Sequence, residues 1–79
     1  MVSDMLPGRY YHLRTQGQIF ILGRYEGTAD VELPSGEWVP ALALRDVHLE
    51  GMAFTDVKCP EWTVPLRDVL GVAEADYQD

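Results

Sequence analysis

The chain has 79 residues, of which 47% are hydrophobic and 24% charged, and its formal net charge at pH 7 is -7. This length supports one hydrophobic core, and therefore one domain that can fold without a metal or a disulfide. Cys59 is the single cysteine, which excludes an internal disulfide and any zinc site with two or more thiolates. Since the sequence has neither a signal-peptide pattern nor roughly 18 consecutive apolar residues, we expect a cytoplasmic protein without a membrane span.

The negative charge is concentrated in the last two thirds of the chain. Residues 1–25 contain one acid and three arginines, a balance of +2, whereas residues 26–79 contain twelve acids and three basic residues, a balance of -9. Such a field repels nucleic acid and anionic membranes and attracts basic protein surfaces. The alternative is that the acids only keep the protein in solution.

Short strands separated by turn residues are predicted in the first half of the chain. Aromatic residues favour a strand over 9–14, and a β-branched apolar run favours a central strand over 19–25 that Gly27 ends. Strict alternation predicts a third strand over 29–33. The predicted core residues of these strands are Ile19, Ile21, Leu22, Val31 and Leu33.

The second half begins with a reversing turn at Pro34-Ser35-Gly36, which predicts a hairpin between 29–33 and 37–39. Residues 40–46 are interpreted as a strand that ends in one helical turn. Alternation over 47–50 predicts another strand, which continues past a bulge at Gly51 and is closed by Cys59-Pro60.

Five or six short strands indicate a mostly β fold, a small SH3-like open barrel or bent antiparallel sheet with at most one short helical turn. The predicted domain covers 1–73, and 74–79 is predicted to be a loosely ordered acidic tail. Two similar segments, Glu37-Trp38-Val39-Pro40 and Glu61-Trp62-Thr63-Val64-Pro65, each precede Leu-Arg-Asp-Val. Chance or a recurring strand-to-turn device explains the similarity as well as duplication does, and we interpret the segments as two equivalent corners of one barrel.

Catalytic chemistry could only come from His12, His48 or Cys59, and the sequence gives no sign that these residues converge in a pocket. His48 alternates with apolar neighbours and is therefore expected on a solvent face. The seven glycines stand apart, which disfavours a phosphate-binding loop. We expect no enzyme activity, no cofactor and no metal site.

The candidate binding residues are carboxylates and tryptophans. Alternation turns Asp30 and Glu32 to one face of a strand, about 7 Å apart, and such a pair can engage Lys and Arg that otherwise hold phosphates. Glu37 follows across the turn, and tryptophan beside carboxylate suits a cationic side chain. The predicted partner-binding set is Asp30, Glu32, Glu37, Glu50, Asp56, Glu61, Trp38 and Trp62.

In size, acidity, single domain and lack of catalytic groups, the chain resembles the small acidic phage proteins that disable bacterial defence, the anti-CRISPR proteins in particular. The resemblance covers the whole chain but no motif carries it, so it assigns no residue roles. It implies a DNA-mimicking inhibitor in the host bacterial cytoplasm. The inhibitor would bind a Cas subunit or guide-RNA complex and block target DNA binding or nuclease recruitment, without touching nucleic acid or membrane itself.

A second resemblance rests on Pro7-Gly8-Arg9-Tyr10-Tyr11-His12, then Ile21-Leu22-Gly23, then Trp38-Val39. This pattern is similar to a family of small bacterial β domains of uncharacterised role, and it covers about the first half of the chain. It implies an SH3-like fold without implying a function. The second hypothesis is therefore a host binding module with this fold for a basic peptide or a small ligand. Under either hypothesis the protein is expected to be a monomer or a small homo-oligomer.

Overall fold

Alternating apolar and polar residues build a single five-stranded antiparallel sheet in the computed structural model, which describes residues 4–77. The strands are β1 (Tyr10–Thr15), β2 (Ile19–Glu32), β3 (Trp38–Gly51), β4 (Phe54–Pro65) and β5 (Val69–Glu74). One 3-10 turn, Leu66–Asp68, joins β4 to β5. The spatial order β4-β3-β2-β1-β5 leaves the sheet open. The predicted fold class is confirmed, and the arrangement is consistent with an SH3-like domain.

The core lies on one face of this bent sheet. On β1 the inward residues Tyr11 and Leu13 alternate with the exposed His12 and Arg14, as a half-buried strand requires. The largest fully buried side chains are Leu13, Leu42, Leu44 and Val47. Among the described residues no helix is long and apolar enough to cross a membrane.

Two of the five predicted core residues belong to the interior. Ile21 is buried in the core and Ile19 packs against it, whereas Val31 and Leu33 are only half-buried and lie outside the core cluster. The prediction for Leu22 is wrong, because the period of two turns its side chain away from Ile21 and onto the opposite face.

The predicted break at Gly27 is also wrong, since β2 runs without interruption through that position. Gly27 instead sits at a register shift between Tyr25 and Gly27, with φ of 133°. Only glycine adopts this backbone conformation without strain, so the residue bends the strand where the sequence suggested an end.

A second glycine on β2 allows close packing. A Cβ atom at Gly23 would lie 3.2 Å from Val47 Cγ2 and 3.3 Å from Leu44 Cβ, distances tighter than ordinary contacts. The adjacent register shift between Leu22 and Arg24 increases the local twist. Gly23 therefore brings the β2 backbone close to two buried side chains of β3.

The structure has no helical turn over 40–46, where one was predicted. Leu42 and Leu44 alternate into the core and keep this stretch in β3, and packing overrides the helix propensity of the segment. Asp46, with φ of 53°, supplies the irregularity there. A short helical turn lies at 66–68 instead.

The chain reverses at Met52-Ala53, so residues 52–54 do not continue β3 as predicted. Cys59-Pro60 does not close a segment either, because both residues lie within β4. The two tryptophan segments are consequently not equivalent corners. Trp38 begins β3, whereas Trp62 lies well inside β4, opposite Leu44.

The predicted tail touches the sheet where the structure describes it. The Ala75 N–H donates to the Tyr10 carbonyl at 2.9 Å, and the Tyr77 ring packs edge-on against Tyr10 with centroids 4.7 Å apart. Gln78 and Asp79 lie outside the described residues.

Replacing Ile21 by Ala tests the position of the core. Ile21 is 3% exposed, so we expect the free energy of unfolding to fall by about 2–4 kcal/mol, as buried methylenes are lost and a cavity remains. Urea denaturation measures the change. Leu70→Ala is the control, because Leu70 is 55% exposed and its truncation should cost less than about 0.5 kcal/mol.

Candidate functional site

The tip of the β2–β3 hairpin presents two of the predicted acids. Asp30 is the Cα partner of Pro40, and Glu32 is the partner of Trp38, so these residues share one face of the two-stranded ribbon. Both carboxylates are exposed, and Trp38 is 65% exposed. Within residues 4–77 neither Asp30 nor Glu32 forms an ion pair. The predicted outward alternation is present here, and Trp38 adds an aromatic ring directly opposite a carboxylate.

Two other predicted acids are paired with arginines of the same chain. Glu37 lies 3.7 Å from Arg67 of the 3-10 turn, and Glu61 lies 3.1 Å from Arg45 across β3 and β4. Both pairs are exposed, so they are weak and a partner can displace them. The pair with Arg67 nevertheless lowers the free negative charge beside the hairpin tip, where Glu37 lies.

Glu50 and Asp56 lie far from the hairpin tip. Glu50 is next to the last residue of β3, whereas Trp38 is the first, and Asp56 is near the start of β4. Two regions at opposite ends of β3 therefore carry these acids, except for Glu61, whose ladder partner Arg45 lies in the middle of β3. Trp62 is 40% exposed on β4 and belongs to neither of them.

The second region is a groove on the face of the sheet opposite the core, with a volume of about 720 Å³. Two rows of Cα partners cross its floor. One row runs His48, Leu22, His12, Ala73 over β3, β2, β1 and β5, and the other runs Glu50, Phe20, Arg14, Gly71. The floor is thus apolar along β2, acidic on the β3 side and basic on the β1 side.

Asp56 and Tyr77 form walls of this groove, and each of them is hydrogen-bonded to His48. The His48 Nδ1 atom lies 2.8 Å from Asp56 Oδ1, and Nε2 lies 3.4 Å from the Tyr77 hydroxyl. An ionised carboxylate can only accept, so Nδ1–H donates to Asp56, and in the neutral ring Nε2 accepts from Tyr77. The His48 hydrogen bond holds the pKa of Asp56 below its ordinary value of 3.8.

A bulge places Asp56 in this position. The register shifts between Leu49 and Gly51, and Asp56 has φ of 50°, a conformation that Asp tolerates better than most residues. The ladder partner of His48 is Lys58, so Asp56 reaches the imidazole diagonally from two residues away.

Sequence reasoning treated His48 as a lone surface histidine and did not find the groove. The signal that was present is the alternation that puts His12, Phe20, Leu22 and His48 on outward positions. Because the reversal at Met52-Ala53 was not predicted, Asp56 was not expected to return beside His48.

The described residues were also compared with what a metal site or a reactive thiol requires. Among residues 4–77 no three His, Cys, Asp or Glu side chains are grouped so that they could hold a metal ion. Cys59 is half-buried and packs against the core, as a small apolar residue does.

Comparison with known proteins gives no relatives: no protein-family model matches the chain, and no curated protein and no solved structure is significantly similar to it.

Replacing Asp56 by Asn tests the His48 contact through its pH dependence. The folded pKa of Asp56 lies below its unfolded value, so its contribution to stability is present above about pH 4 and is lost as pH falls through the folded pKa. The gap between the urea midpoints of wild type and Asp56→Asn should therefore shrink in acid. Asp30→Asn is the control, and a constant gap for Asp56→Asn would contradict the contact.

Proposed function

We propose that this domain is a non-catalytic binding protein whose hairpin tip, defined by Asp30, Glu32 and Trp38, occupies the basic surface of a nucleic-acid-binding protein complex and so inhibits it. The observation that carries the proposal is that two exposed carboxylates, neither of them ion-paired within residues 4–77, stand on a hydrogen-bonded ladder beside an exposed tryptophan. Carboxylates held on a regular ribbon lose little freedom on binding.

The electrostatics favour a basic protein partner over nucleic acid. The chain carries a net charge of -7, and twelve of its thirteen acids follow residue 25. Paired carboxylates can bind lysine and arginine side chains that otherwise contact phosphates, and tryptophan adds cation–π contact. The finer form of the proposal, suggested by the likeness to anti-CRISPR proteins, is that the partner is a Cas subunit or a guide-RNA complex.

The groove favours a second function, a binding module for a small ligand or a basic peptide. Its volume of about 720 Å³ lies within the range of ligand sites, and a few polar groups stand around an apolar floor, as such sites require. The two functions use different ends of β3 and are tested separately.

Charge reversal at the hairpin tip tests the first function. The double variant Asp30→Lys, Glu32→Lys should weaken binding to the partner at least about tenfold, because attraction becomes repulsion, while the melting temperature stays nearly unchanged. The assay is a mobility shift in which purified CRISPR effector–guide complexes bind target DNA with and without the protein. Inhibition by the native protein should fall as salt rises.

The control is Glu50→Lys with Asp76→Lys, which changes the net charge equally at exposed sites away from the hairpin tip. It should retain inhibition. If the two double variants lose inhibition equally, net charge and not the hairpin tip is responsible. Inhibition that survives both the Asp30, Glu32 reversal and high salt would contradict charge mimicry.

A further inference from the structure

We propose that the groove binds a small organic cation with an apolar body, whose cationic end lies against Glu50 and Asp56 and whose body lies on Phe20 and Leu22. This inference names the ligand of the second function proposed above and rests on it. The hairpin tip has no part in it.

The apolar body is required by the floor of the groove. Phe20 is 49% exposed and Leu22 is half-buried. Both point outward from the first part of β2, at the centre of the groove floor. The Tyr77 ring stands as a wall beside them, held edge-on against His48 with ring centroids 5.7 Å apart. Covering exposed apolar and aromatic surface is favourable, so an apolar group is the natural occupant of this floor.

The cationic end is required by the charges around the floor. Glu50 and Asp56 face the groove from the β3 and β4 side, and Arg14 faces it from β1, so the carboxylates outnumber the guanidinium. Asp56 stays ionised because the His48 hydrogen bond keeps its pKa low. A positive group near Phe20 and Tyr77 also gains from the negative faces of the rings.

The arrangement also fixes the orientation of the ligand. Glu50 and Arg14 are both Cα partners of Phe20, on opposite sides, so they stand two strand spacings apart, about 10 Å. The Arg14 guanidinium lies over Gly71, where a Cβ atom would be 3.8 Å from its Nη2 atom. The cation must therefore lie toward β3, and the opposite orientation would place it against Arg14.

Three probes with one body and different charge test the inference. They are 4-phenylbutylammonium, 4-phenylbutanol and 4-phenylbutyrate, each titrated into the 15N-labelled full chain and followed by NMR. We expect saturable shifts at Leu22, His48 and Ala73 for the ammonium at about millimolar concentration, as suits so small a ligand. The alcohol should bind about threefold to fivefold more weakly, and the carboxylate should bind weakest.

Glu50→Gln should lower ammonium affinity toward that of the alcohol, with Asp56 retaining part of the preference, while leaving alcohol binding unchanged. The matched control is Glu32→Gln, an exposed acid at the other end of β3, which should bind all three probes as the native chain does. A folded spectrum for Glu50→Gln excludes loss of structure as the cause.

Equal binding of ammonium and alcohol, the tightest binding by the carboxylate, or shifts outside the groove would overturn the proposal. N-acetyl-phenylalanyl-lysine amide serves as a peptide arm. If it binds in the groove at least about tenfold tighter than the ammonium, the occupant is a peptide and the small-cation inference fails while the second function stands. If no probe of any kind gives saturable shifts, that function fails as well.

Discussion

The bending of the paired strands β2 and β3 is the constraint on which the rest of the structure depends. Two strands of fourteen residues cannot enclose a small core if they stay flat, so the backbone must turn at defined places. Gly23 permits close contact with Val47, Gly27 supplies a positive φ, and Asp46 adds an irregularity on the partner strand. With these adjustments one pair of strands contributes most of the buried side chains and also provides both candidate surfaces.

This geometry separates two candidate surfaces that the sequence alone had merged into one acidic surface. The hairpin tip of the pair extends beyond the core, and there Asp30 and Glu32 are exposed on a narrow ribbon beside Trp38. The other end of the pair, which contains Phe20 and Glu50, is widened by β1 and β5 and flanked by Tyr77. It therefore forms a concave, partly apolar face. A broad basic protein surface suits the first, and a small ligand suits the second.

Local chemistry explains which features could be predicted from the sequence. The residues of the Pro34-Ser35-Gly36 turn favour a chain reversal by themselves, so the sequence correctly predicted the hairpin and the outward direction of Asp30. Met52-Ala53 has no such preference, and the reversal there depends on β4 pairing with β3. The Asp56–His48–Tyr77 hydrogen bonds depend in turn on that reversal and on residues 74–77 crossing the sheet, which are long-range contacts that no local pattern encodes.

The pairing of β5 with β1 has a consequence for how the chain is made. Strands β1 to β4 follow one another as neighbouring hairpins, and they can form in order as the polypeptide emerges from the ribosome. The outer edge of β1 has no such neighbour until residues 69–74 have been synthesised. Until then the nascent chain carries an open strand edge, and such an edge can pair with other chains.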